Sequence, residues 1–423
     1  MLELRLLREK PEFVIERLAV KNFDAKEIVA DILKIDLERR NAQTELDANL
    51  AKQNKAAKSI GMLLKEGKKD EAEQAKKDVA ALKAESELLK QKQEQMSQKQ
   101  AELLVLLPNL PCQDVPQGKS AEDNVVVREG GEKKSLPDGA KPHWELAKEL
   151  NIIDFDLGVK LTGAGFPLYV GKGAKIQRAL ISYFLDRNTK AGYLEVQPPL
   201  MVNEDSAYGT GQLPDKGEQM YHVGLDNFYL IPTAEVPVTN IYRDAIVPKG
   251  DFPIKLTAYT PCFRREAGSY GKDVRGLNRL HQFDKVEIVQ ITLPEESYAA
   301  LDGMVSHVES LVKELGLPYR ILRLCGGDMS FTSAITYDFE VYSQAQGRWL
   351  EVSSVSNFET YQANRLKLRY KDGDKMRLAH TLNGSSLALP RILAALLEDN
   401  QLSDGRIAVP ECLRPFTGFD YID

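Results

Sequence analysis

The sequence has few cysteines and histidines, and neither residue type is grouped as in a metal or disulfide motif. Its 423 residues include four cysteines without a CxxC pair and five histidines without HxxxH spacing. A disulfide framework, a zinc site and a histidine-bound metal are therefore disfavoured. We expect all four cysteines to be reduced and structural, namely Cys112, Cys262, Cys325 and Cys412.

Long apolar runs and an excess of positive charge are also missing. No apolar segment approaches the roughly 20 residues of a membrane-spanning helix. The N-terminal segment MLELRLLREKPEF lacks the apolar core of a signal peptide. The net charge of -6 argues against binding of polyanions over the whole surface. We expect a cytoplasmic protein that does not bind membranes.

Two familiar phosphate-binding motifs are absent as well. In segment 158–175, Gly165 and Gly171 are one residue too far apart for GxxxxGK, and Lys172 is followed by glycine instead of Ser or Thr. No GxGxxG motif occurs. The sequence therefore disfavours a Walker-type ATPase and a Rossmann dehydrogenase.

The N-terminal quarter of the chain has the pattern of a coiled coil. Between residues 25 and 107 the sequence predicts two long helices with a break at GKKD, residues 67–70. Seam residues recur at alternating steps of three and four, the 3.5-residue period of a coiled coil. The short break requires an antiparallel hairpin with arms of about 55 Å. The predicted seam consists of Ile32, Ile35, Arg39, Ala42, Leu46, Asn49, Gln53, Ala56, Ile60 and Leu63, and of Ala72, Ala75, Val79, Leu82, Ser86, Leu89, Gln93, Met96, Gln100, Leu103 and Leu107.

Positive charge is concentrated in the distal half of this hairpin. Segment 52–69 contains six lysines and one acid, Glu66. Lysines on a narrow rod repel one another unless a polyanion relieves the repulsion, which favours a phosphate-binding arm. A plain spacer or a dimerisation rod is the alternative. Contacts with nucleic acid are expected to start at Lys52, Lys55 and Lys58.

The rest of the chain is predicted to form a second domain after a linker. Residues 108–143 are rich in Pro, Gly and charge, which is typical of a linker. Beyond them the sequence lacks the regular βαβ alternation of a parallel sheet. We therefore expect an α+β fold, with a mostly antiparallel sheet covered by helices. Strands are predicted at 193–197, 227–231, 254–265, 276–292 and 347–354, and helices at 172–191 and 386–399.

Segment 263–287, FRREAGSYGKDVRGLNRLHQFDKVE, is predicted to be a hairpin with a charged face. Period-two alternation places Arg264 and Glu266 on one face of the first strand. On the second strand it aligns Arg279, His281, Phe283, Lys285 and Glu287. Such a face offers guanidinium groups for phosphate, a ring for a base and carboxylates for an ammonium group. This combination indicates ATP beside an amino acid; an exposed hairpin with salt bridges is the alternative.

Three further segments offer polar groups near strand or helix ends. IPTAEVPVTN, residues 231–240, contains Thr233 and Glu235, which by themselves suit a helix cap. RWLEVSS, residues 348–354, combines carboxylate with hydroxyl, the oxygen ligands that Mg²⁺ prefers. In residues 381–398 a predicted helix carries Arg391 in its first turns. Because a cation there opposes the helix dipole, an anion is expected nearby.

Together these segments resemble the bacterial type of the seryl-tRNA synthetase family, class II aminoacyl-tRNA synthetases, over essentially the whole chain. FRRE with GLNRLHQFDKVE is similar to motif 2, NGSSLALPRILAALLE to motif 3 and GYLEVQPPLM to motif 1. TAE and EVSS resemble the seryl-specific parts. The resemblance implies a tRNA-binding domain over 1–107, a linker over 108–143 and a catalytic domain over 144–423.

The resemblance also implies an activity and its partners. The chain would use ATP to attach L-serine to tRNA(Ser) through a seryl-adenylate, with Mg²⁺ as cofactor, and tRNA(Sec) would be served where present. The coiled-coil arm would bind the long variable arm of serine tRNA. A homodimer is implied because the motif 1 region around Pro199 lies at the dimer interface in this class.

Residue roles follow from the same resemblance. Catalysis is assigned to Arg264, Glu351 and Arg391. The implied ATP-binding residues are Arg264, Arg265, Glu266, Leu280, Phe283, Glu351, Val352, Ser353, Ser354 and Arg391, and Glu351 and Ser354 would hold Mg²⁺. The implied serine-binding residues are Thr233, Ala234, Glu235, Arg264, Glu287, Asn383 and Ser385.

Two other functions share parts of this pattern. An enzyme that charges carrier proteins with amino acids has a similar catalytic core, but it typically lacks the long arm that is present here. A non-catalytic tRNA-binding or scaffold protein derived from a synthetase should have lost Arg264, Glu351 or Arg391, and all three are retained.

Overall fold

The computed structural model describes residues 1–214, 219–265 and 275–423. These residues form two compact units. One unit consists of Leu2–Ala19 and Phe23–Pro108, and the other consists of Met1, Val20–Asn22 and Asn109–Asp423. Within the described ranges, no helix combines the length and apolar character needed to cross a membrane.

The first unit is a helical hairpin with two short helices at its base. Its helices are α1 Leu4–Glu9, α2 Pro11–Ala19, α3 Lys26–Lys65 and α4 Lys69–Leu104. The turn between α3 and α4 contains Gly67, whose φ of 75° favours glycine. Every predicted seam residue is buried or half-buried, so the predicted antiparallel coiled coil is confirmed.

A buried acid that the seam pattern did not reveal lies near the base of this hairpin. Asp36 is fully buried and accepts hydrogen bonds from Arg8 at 2.7 Å, Arg40 at 2.9 Å and Gln100 at 3.3 Å. Burial alone would raise the pKa of Asp36, but the hydrogen bonds, first that from Arg8, outweigh it and hold the pKa well below its usual range. One carboxylate thereby ties together α1, α3 and α4.

The second unit combines helices with β-sheets. Its helices are α5 His143–Glu149, α6 Phe155–Leu161, α7 Lys172–Lys190, α8 Glu204–Thr210, α9 Glu235–Asn240, α10 Ser297–Glu314, α11 Thr360–Leu366, α12 Leu389–Asp399 and α13 Arg414–Thr417. Its strands are β1 Val125–Gly130, β2 Ile153–Asp154, β3 Leu168–Tyr169, β4 Leu194–Glu195, β5 Met201–Asn203, β6 His222–Val223, β7 Phe228–Leu230, β8 Ile246–Val247, β9 Ile254–Phe263, β10 Gln282–Thr292, β11 Tyr319–Arg323, β12 Ile335–Ser343, β13 Arg348–Glu359, β14 Arg369–Asp372, β15 Lys375–Leu378, β16 His380–Ala388, β17 Ile407–Ala408 and β18 Tyr421–Ile422.

An eight-stranded sheet is the framework of this unit. Its strand order is β1-β11-β12-β13-β16-β10-β9-β4, and its pairs are antiparallel except β4 with β9. Strand β10 is buried along almost its whole length, because α7, α10 and α12 pack their apolar residues into the same core. The predicted antiparallel sheet covered by helices is confirmed. Smaller sheets have the orders β15-β14-β8, β5-β7-β6, β17-β18 and β2-β3.

The structure corrects two sequence predictions. The predicted linker, residues 108–143, includes β1, which pairs with β11 at the edge of the main sheet. The run of valines at the start of β1, residues 125–127, favours a strand, but the prolines, glycines and charges of the segment led to its interpretation as a linker. The helix predicted from residue 386 starts only at Leu389, because β16 occupies the preceding residues.

Candidate active site

One cavity of about 520 Å³ collects most of the predicted site residues. It lies over the middle of the main sheet, where strands β9, β10, β13 and β16 are neighbours. Its lining includes Thr233, Glu235, Arg264, Leu280, Phe283, Glu287, Glu351, Val352, Ser353, Ser354, Asn383, Ser385 and Arg391. The lining extends in sequence from Gln212 to Arg391, so segments far apart in the chain meet in one place.

Two of the predicted residues that the structure describes, Ala234 and Arg265, do not line this cavity. Ala234 is fully buried and contributes to a separate small apolar cluster. Arg265 is exposed, and its backbone amide donates to the carbonyl of Gln219 at 2.9 Å. Glu266 lies outside the described residues. The described parts of the motif 2 segment thus place Arg264, and not Arg265, at the cavity.

The predicted hairpin is confirmed for the described residues. Strands β9 and β10 pair antiparallel, and the backbone amide of Arg264 donates to the carbonyl of His281 at 2.9 Å. Alternation along β10 turns Phe283, Lys285 and Glu287 to the cavity. Strand β10 starts only at Gln282, so the alternation predicted for the preceding residues does not extend to His281, which is not part of the lining.

Two arginines supply positive charge to one part of the cavity. The Arg264 guanidinium lies 5.2 Å from the centre of the Phe283 ring and donates to the Pro232 carbonyl at 3.3 Å. Arg391, the third residue of α12, donates to the carbonyls of Asn278 at 2.9 Å and Glu351 at 2.7 Å. The first turn of α12 contains no acid. A helix N-terminus and two guanidinium groups form a suitable environment for a phosphate chain.

Glu351 and Ser354 form an oxygen-rich corner beside Arg391. The Glu351 side chain is 51% exposed, and its Oε2 lies 3.8 Å from Arg391 Nη1. Ser354 Oγ donates to Asp338 Oδ1 at 2.6 Å, so its lone pairs remain available to a cation. A carboxylate and a hydroxyl oriented in this way fit Mg²⁺, which takes oxygen ligands and keeps positions for phosphate and water.

Asp338 was not identified from the sequence. It is on β12, directly opposite Ser354 on β13. Burial, followed by the nearby charge of Glu351, raises the pKa of Asp338 well above its usual range. The sequence TYDFE gives no sign of this role, because the pairing of β12 with β13 brings Asp338 to the site.

The other part of the cavity holds a buried lysine and two acids. Lys285 Nζ lies 2.6 Å from Glu287 Oε2 and donates to Thr233 Oγ1 at 2.8 Å. The side chains of Lys285 and Glu287 are only 8% and 3% exposed. Ser385 is the direct neighbour of Glu287 across β10 and β16. Lys285 was counted among the cations of its segment in the sequence, but its pairing with Glu287 was not predicted.

Glu235 faces these groups from the start of α9. Burial and the nearby charge of Glu287 raise the pKa of Glu235 to about 7. The backbone amide of Glu235 donates to Thr233 Oγ1 at 3.2 Å, but the N-cap position of α9 is Ala234 and carries no side-chain cap, so the helix-cap interpretation is wrong. Thr233 binds the backbone at the start of α9 and lines the cavity at the same time.

His143 supports the cavity wall from outside and was missed by sequence reasoning. Its Nδ1 lies 2.7 Å from Glu398 Oε1, and both side chains are fully buried. Its Nε2 accepts the backbone amide of Leu277, which lines the cavity, at 2.8 Å. The acceptor role of Nε2 places the proton on Nδ1 and fixes one tautomer. No local motif surrounds His143, so only the folded chain shows this support.

The predicted tRNA-binding lysines belong to the first unit. Lys52, Lys55 and Lys58 are on α3 and are exposed. Their spacing of three residues places them along a narrow strip of the helix surface. In the first unit this strip is exposed, so a polyanion can reach it.

Comparisons with known protein families match both parts of the chain. A family model described as "Seryl-tRNA synthetase N-terminal domain" matches residues 1–111. A second, "tRNA synthetase class II core domain (G, H, P, S and T)", matches residues 221–400. A serine–tRNA ligase of Salinibacter ruber is 52% identical over 421 residues, which cover 99% of this chain and 98% of the relative.

Solved structures agree with the sequence comparisons. The crystal structure of seryl-tRNA synthetase from Pyrococcus horikoshii, complexed with ATP, aligns with a TM-score of 0.89 and 34% identity. A cytoplasmic serine–tRNA ligase from Naegleria fowleri, in complex with AMP, aligns with the same TM-score of 0.89 and 24% identity, which supports the fold. Both alignments cover 100% of this chain and 99% of the other.

Proposed function

This chain belongs to the seryl-tRNA synthetase family, and from that premise we propose how its own residues attach serine to tRNA. The enzyme is a class II aminoacyl-tRNA synthetase that uses ATP to charge tRNA with serine. The observation that carries the residue roles is the single cavity lined by Arg264, Glu351 and Arg391 together with Thr233 and Glu287. It offers cations for a triphosphate and oxygen atoms for a small hydroxylated amino acid.

The nucleotide occupies the part of the cavity with the two arginines. Phe283 provides a ring face for adenine, and Leu280 lines the same wall. Arg264 contacts the α-phosphate and the serine carboxylate, while Arg391 contacts the terminal phosphates. The neighbouring part of β13 contributes Val352, Ser353 and Ser354 to the same wall of the cavity. Arg265 and Glu266 are proposed nucleotide contacts from the family resemblance alone.

Glu351 and Ser354 would hold the magnesium ion that accompanies ATP. When bound there, the ion would neutralise phosphate charge. Asp338 accepts a hydrogen bond from the Ser354 hydroxyl, which would leave the lone pairs of that oxygen to the ion. The Glu351 side chain is exposed and lies next to Arg391.

Serine is held by the acid-rich part of the cavity. Its ammonium group is bound by Glu235 and Thr233, with the backbone at Ala234 nearby. Its hydroxyl is bound by Glu287, Ser385 and Asn383. Asn383 Nδ2 is buried and has no hydrogen-bond partner of normal geometry in the described part of the chain, so a ligand oxygen would satisfy it. Alanine is rejected because Glu287 would lose its hydroxyl partner, and larger side chains clash.

Catalysis then depends on position and charge. A serine carboxylate oxygen attacks the α-phosphorus, the bond to the β-phosphate oxygen breaks, and pyrophosphate leaves. Negative charge grows on the α-phosphoryl oxygens, where Arg264 stabilises it. A ribose hydroxyl at the tRNA 3′ end next attacks the seryl carbonyl, and AMP leaves as seryl-tRNA forms.

The partners of the reaction follow from the family and from the arm. tRNA(Ser) is the proposed macromolecular substrate, with its long variable arm along Lys52, Lys55 and Lys58. Where a selenocysteine system exists, tRNA(Sec) is proposed as a further substrate. We also propose a homodimer formed around Pro199 and a cytoplasmic location, where tRNA charging serves the ribosome.

Amino-acid-dependent exchange of pyrophosphate into ATP tests the proposal. All twenty amino acids are compared, and only serine is expected to support exchange. Arg264→Ala should abolish exchange, while Arg406→Ala, at an exposed arginine paired with Asp404, should leave it unchanged. Exchange with alanine or glycine but none with serine would refute the assignment.

A further inference from the structure

A fully buried glutamine contacts the proposed ammonium-binding acid from outside the cavity. Gln362 is on α11, and its Nε2 donates to Glu235 Oε1 at 2.6 Å. Its side chain is fully buried, and Gln362 does not belong to the lining of the cavity. Gln362 therefore does not touch a ligand in the cavity itself, and its direct contact with the proposed binding residues is through Glu235.

The orientation of the Gln362 amide is fixed by its other neighbours. Thr381 Oγ1 donates to Gln362 Oε1 at 2.7 Å, and Gln362 Nε2 also donates to the carbonyl of Thr210 at 3.2 Å. A reversed amide would direct Oε1 at two acceptors, the carbonyl of Thr210 and the carboxylate of Glu235. The NH₂ group is therefore held towards Glu235.

Glu235 needs such a donor because its surroundings oppose its negative charge. Glu287 faces it from β10 and repels it, and burial removes water. Lys285, Gln362 and Asn383 are the groups that favour the charge. Lys285 is already paired with Glu287 and Thr233 at 2.6 and 2.8 Å. Among the residues that the structure describes, Gln362 is the donor with a short, direct hydrogen bond to the Glu235 carboxylate.

We propose that Gln362, oriented by Thr381, is a positioning residue that favours the ionised form of the Glu235 carboxylate and aims it at the ammonium group of serine. The inference rests on the proposed function, in which Glu235 binds that ammonium group. It adds a determinant of serine affinity on α11, beyond the residues that touch the substrate.

The test uses four variants of the full-length chain. Gln362→Met removes the donor while keeping the length of the side chain. Thr381→Val removes the hydroxyl that orients the amide, and its matched control Thr381→Ser retains it. Glu235→Gln tests the underlying role of Glu235. KM for serine, KM for ATP and kcat are measured by pyrophosphate exchange between pH 6 and 8.5, and thermal unfolding verifies folding.

The inference predicts a graded and substrate-specific response. Gln362→Met should raise KM for serine about tenfold or more at pH 7, with KM for ATP changed less than twofold, because a hydrogen bond to a charged group is lost. Thr381→Val should have a smaller effect in the same direction, since the Glu235 carboxylate still attracts Nε2. Thr381→Ser should match the parent chain.

The pH dependence gives a readout that a merely structural role would not change. Because only ionised Glu235 binds an ammonium group, KM for serine should rise as pH falls through the pKa of about 7. Gln362→Met raises that pKa further, so the rise should begin about one pH unit higher. L-Glycerate, which has a hydroxyl in place of the ammonium group, should inhibit the parent chain and Gln362→Met equally.

Each other outcome has a definite meaning. If Glu235→Gln raises KM for serine but Gln362→Met and Thr381→Val do not, the inference fails and the proposed function stands. If Glu235→Gln leaves KM for serine unchanged, the proposed role of Glu235 fails, and the inference fails with it. If Gln362→Met does not fold, an unchanged pH profile in Thr381→Val overturns the inference by itself.

Discussion

The pairing of Lys285 with Glu287 leads to a prediction about both stability and affinity. The two groups lie 2.6 Å apart with side chains only 8% and 3% exposed. Glu287→Ala would leave the buried ammonium group hydrogen-bonded to neutral Thr233, with Glu235 as the remaining nearby acid and no direct ion pair to replace the lost one. Loss of one partner of a buried ion pair typically costs about 3–5 kcal/mol. We expect Glu287→Ala to lose roughly that much free energy of unfolding.

The double variant Lys285→Met with Glu287→Ala separates charge burial from packing. It removes both charges, and replacement of a complete buried pair by apolar groups is often nearly neutral. We therefore expect it to be more stable than Glu287→Ala alone by about 1 kcal/mol or more. Urea unfolding of the full chain at pH 7 measures each value. The single variant Lys285→Met completes the comparison. If the loss of stability in the double variant equals the sum of the losses in the two single variants within about 0.5 kcal/mol, the charges are not coupled and the reasoning is wrong.

The single substitution Glu287→Ala should weaken the affinity for serine much more than the affinity for ATP. Because Glu287 is the proposed partner of the serine hydroxyl, KM for serine should rise at least about tenfold. KM for ATP should change much less, since the two arginines are unaffected. Pyrophosphate exchange at varied serine and ATP concentrations measures both, and an equal rise in both would contradict the proposed role.

Three further predictions concern other parts of the chain. Asp36→Asn should lower the free energy of unfolding by roughly 2 kcal/mol at pH 7. Because folding lowers the pKa of Asp36, the difference in stability between the parent chain and Asp36→Asn should shrink as pH falls below about 4, which unfolding experiments measure. Replacing residues 35–95 by a short loop should spare serine-dependent exchange but abolish tRNA charging, and unchanged charging would make the arm a spacer. Glu351→Gln should raise the Mg²⁺ concentration for half-maximal exchange more than KM for serine, and equal changes would contradict its role as a magnesium ligand.

The coiled coil was the part of the fold most fully predictable from the sequence. Its seam depends on a local period, which Ile32, Ala42 and Ala72 follow and which the buried seam confirms. Asp36 is off that seam, and its burial depends on Arg8 and on Gln100 of the opposite helix. Because such a contact joins segments that are distant in the sequence, no local pattern predicts it.

Strands were predictable where residues of high β-propensity continued along a segment, as in β9 and β10. Strand β16 was not, because Asn383, Gly384 and Ser385 have low intrinsic preference for a strand. Its pairing with β10 and β13 on both sides overrides that preference. Tertiary pairing extends β16 into residues that the sequence pattern assigned to the following helix. The helix was therefore predicted to begin too early.

The candidate site, too, was only partly predictable from the sequence. Alternation along β10 correctly predicted that Phe283, Lys285 and Glu287 share one face, and the family resemblance supplied most other lining residues. Asp338, His143 and Gln362 were missed, because each acts through a neighbour from another element. Supporting residues of this kind become visible only when the elements that carry them are packed together.

The order of strands in the main sheet has a consequence for synthesis of the protein on the ribosome. Strand β16 lies between β10 and β13, although it is made after both of them. During translation these two strands cannot close against each other without blocking the place of the later one. The nascent chain should therefore remain unable to make seryl-adenylate until β16 and Arg391 have left the exit tunnel, and fragments ending before them should be inactive.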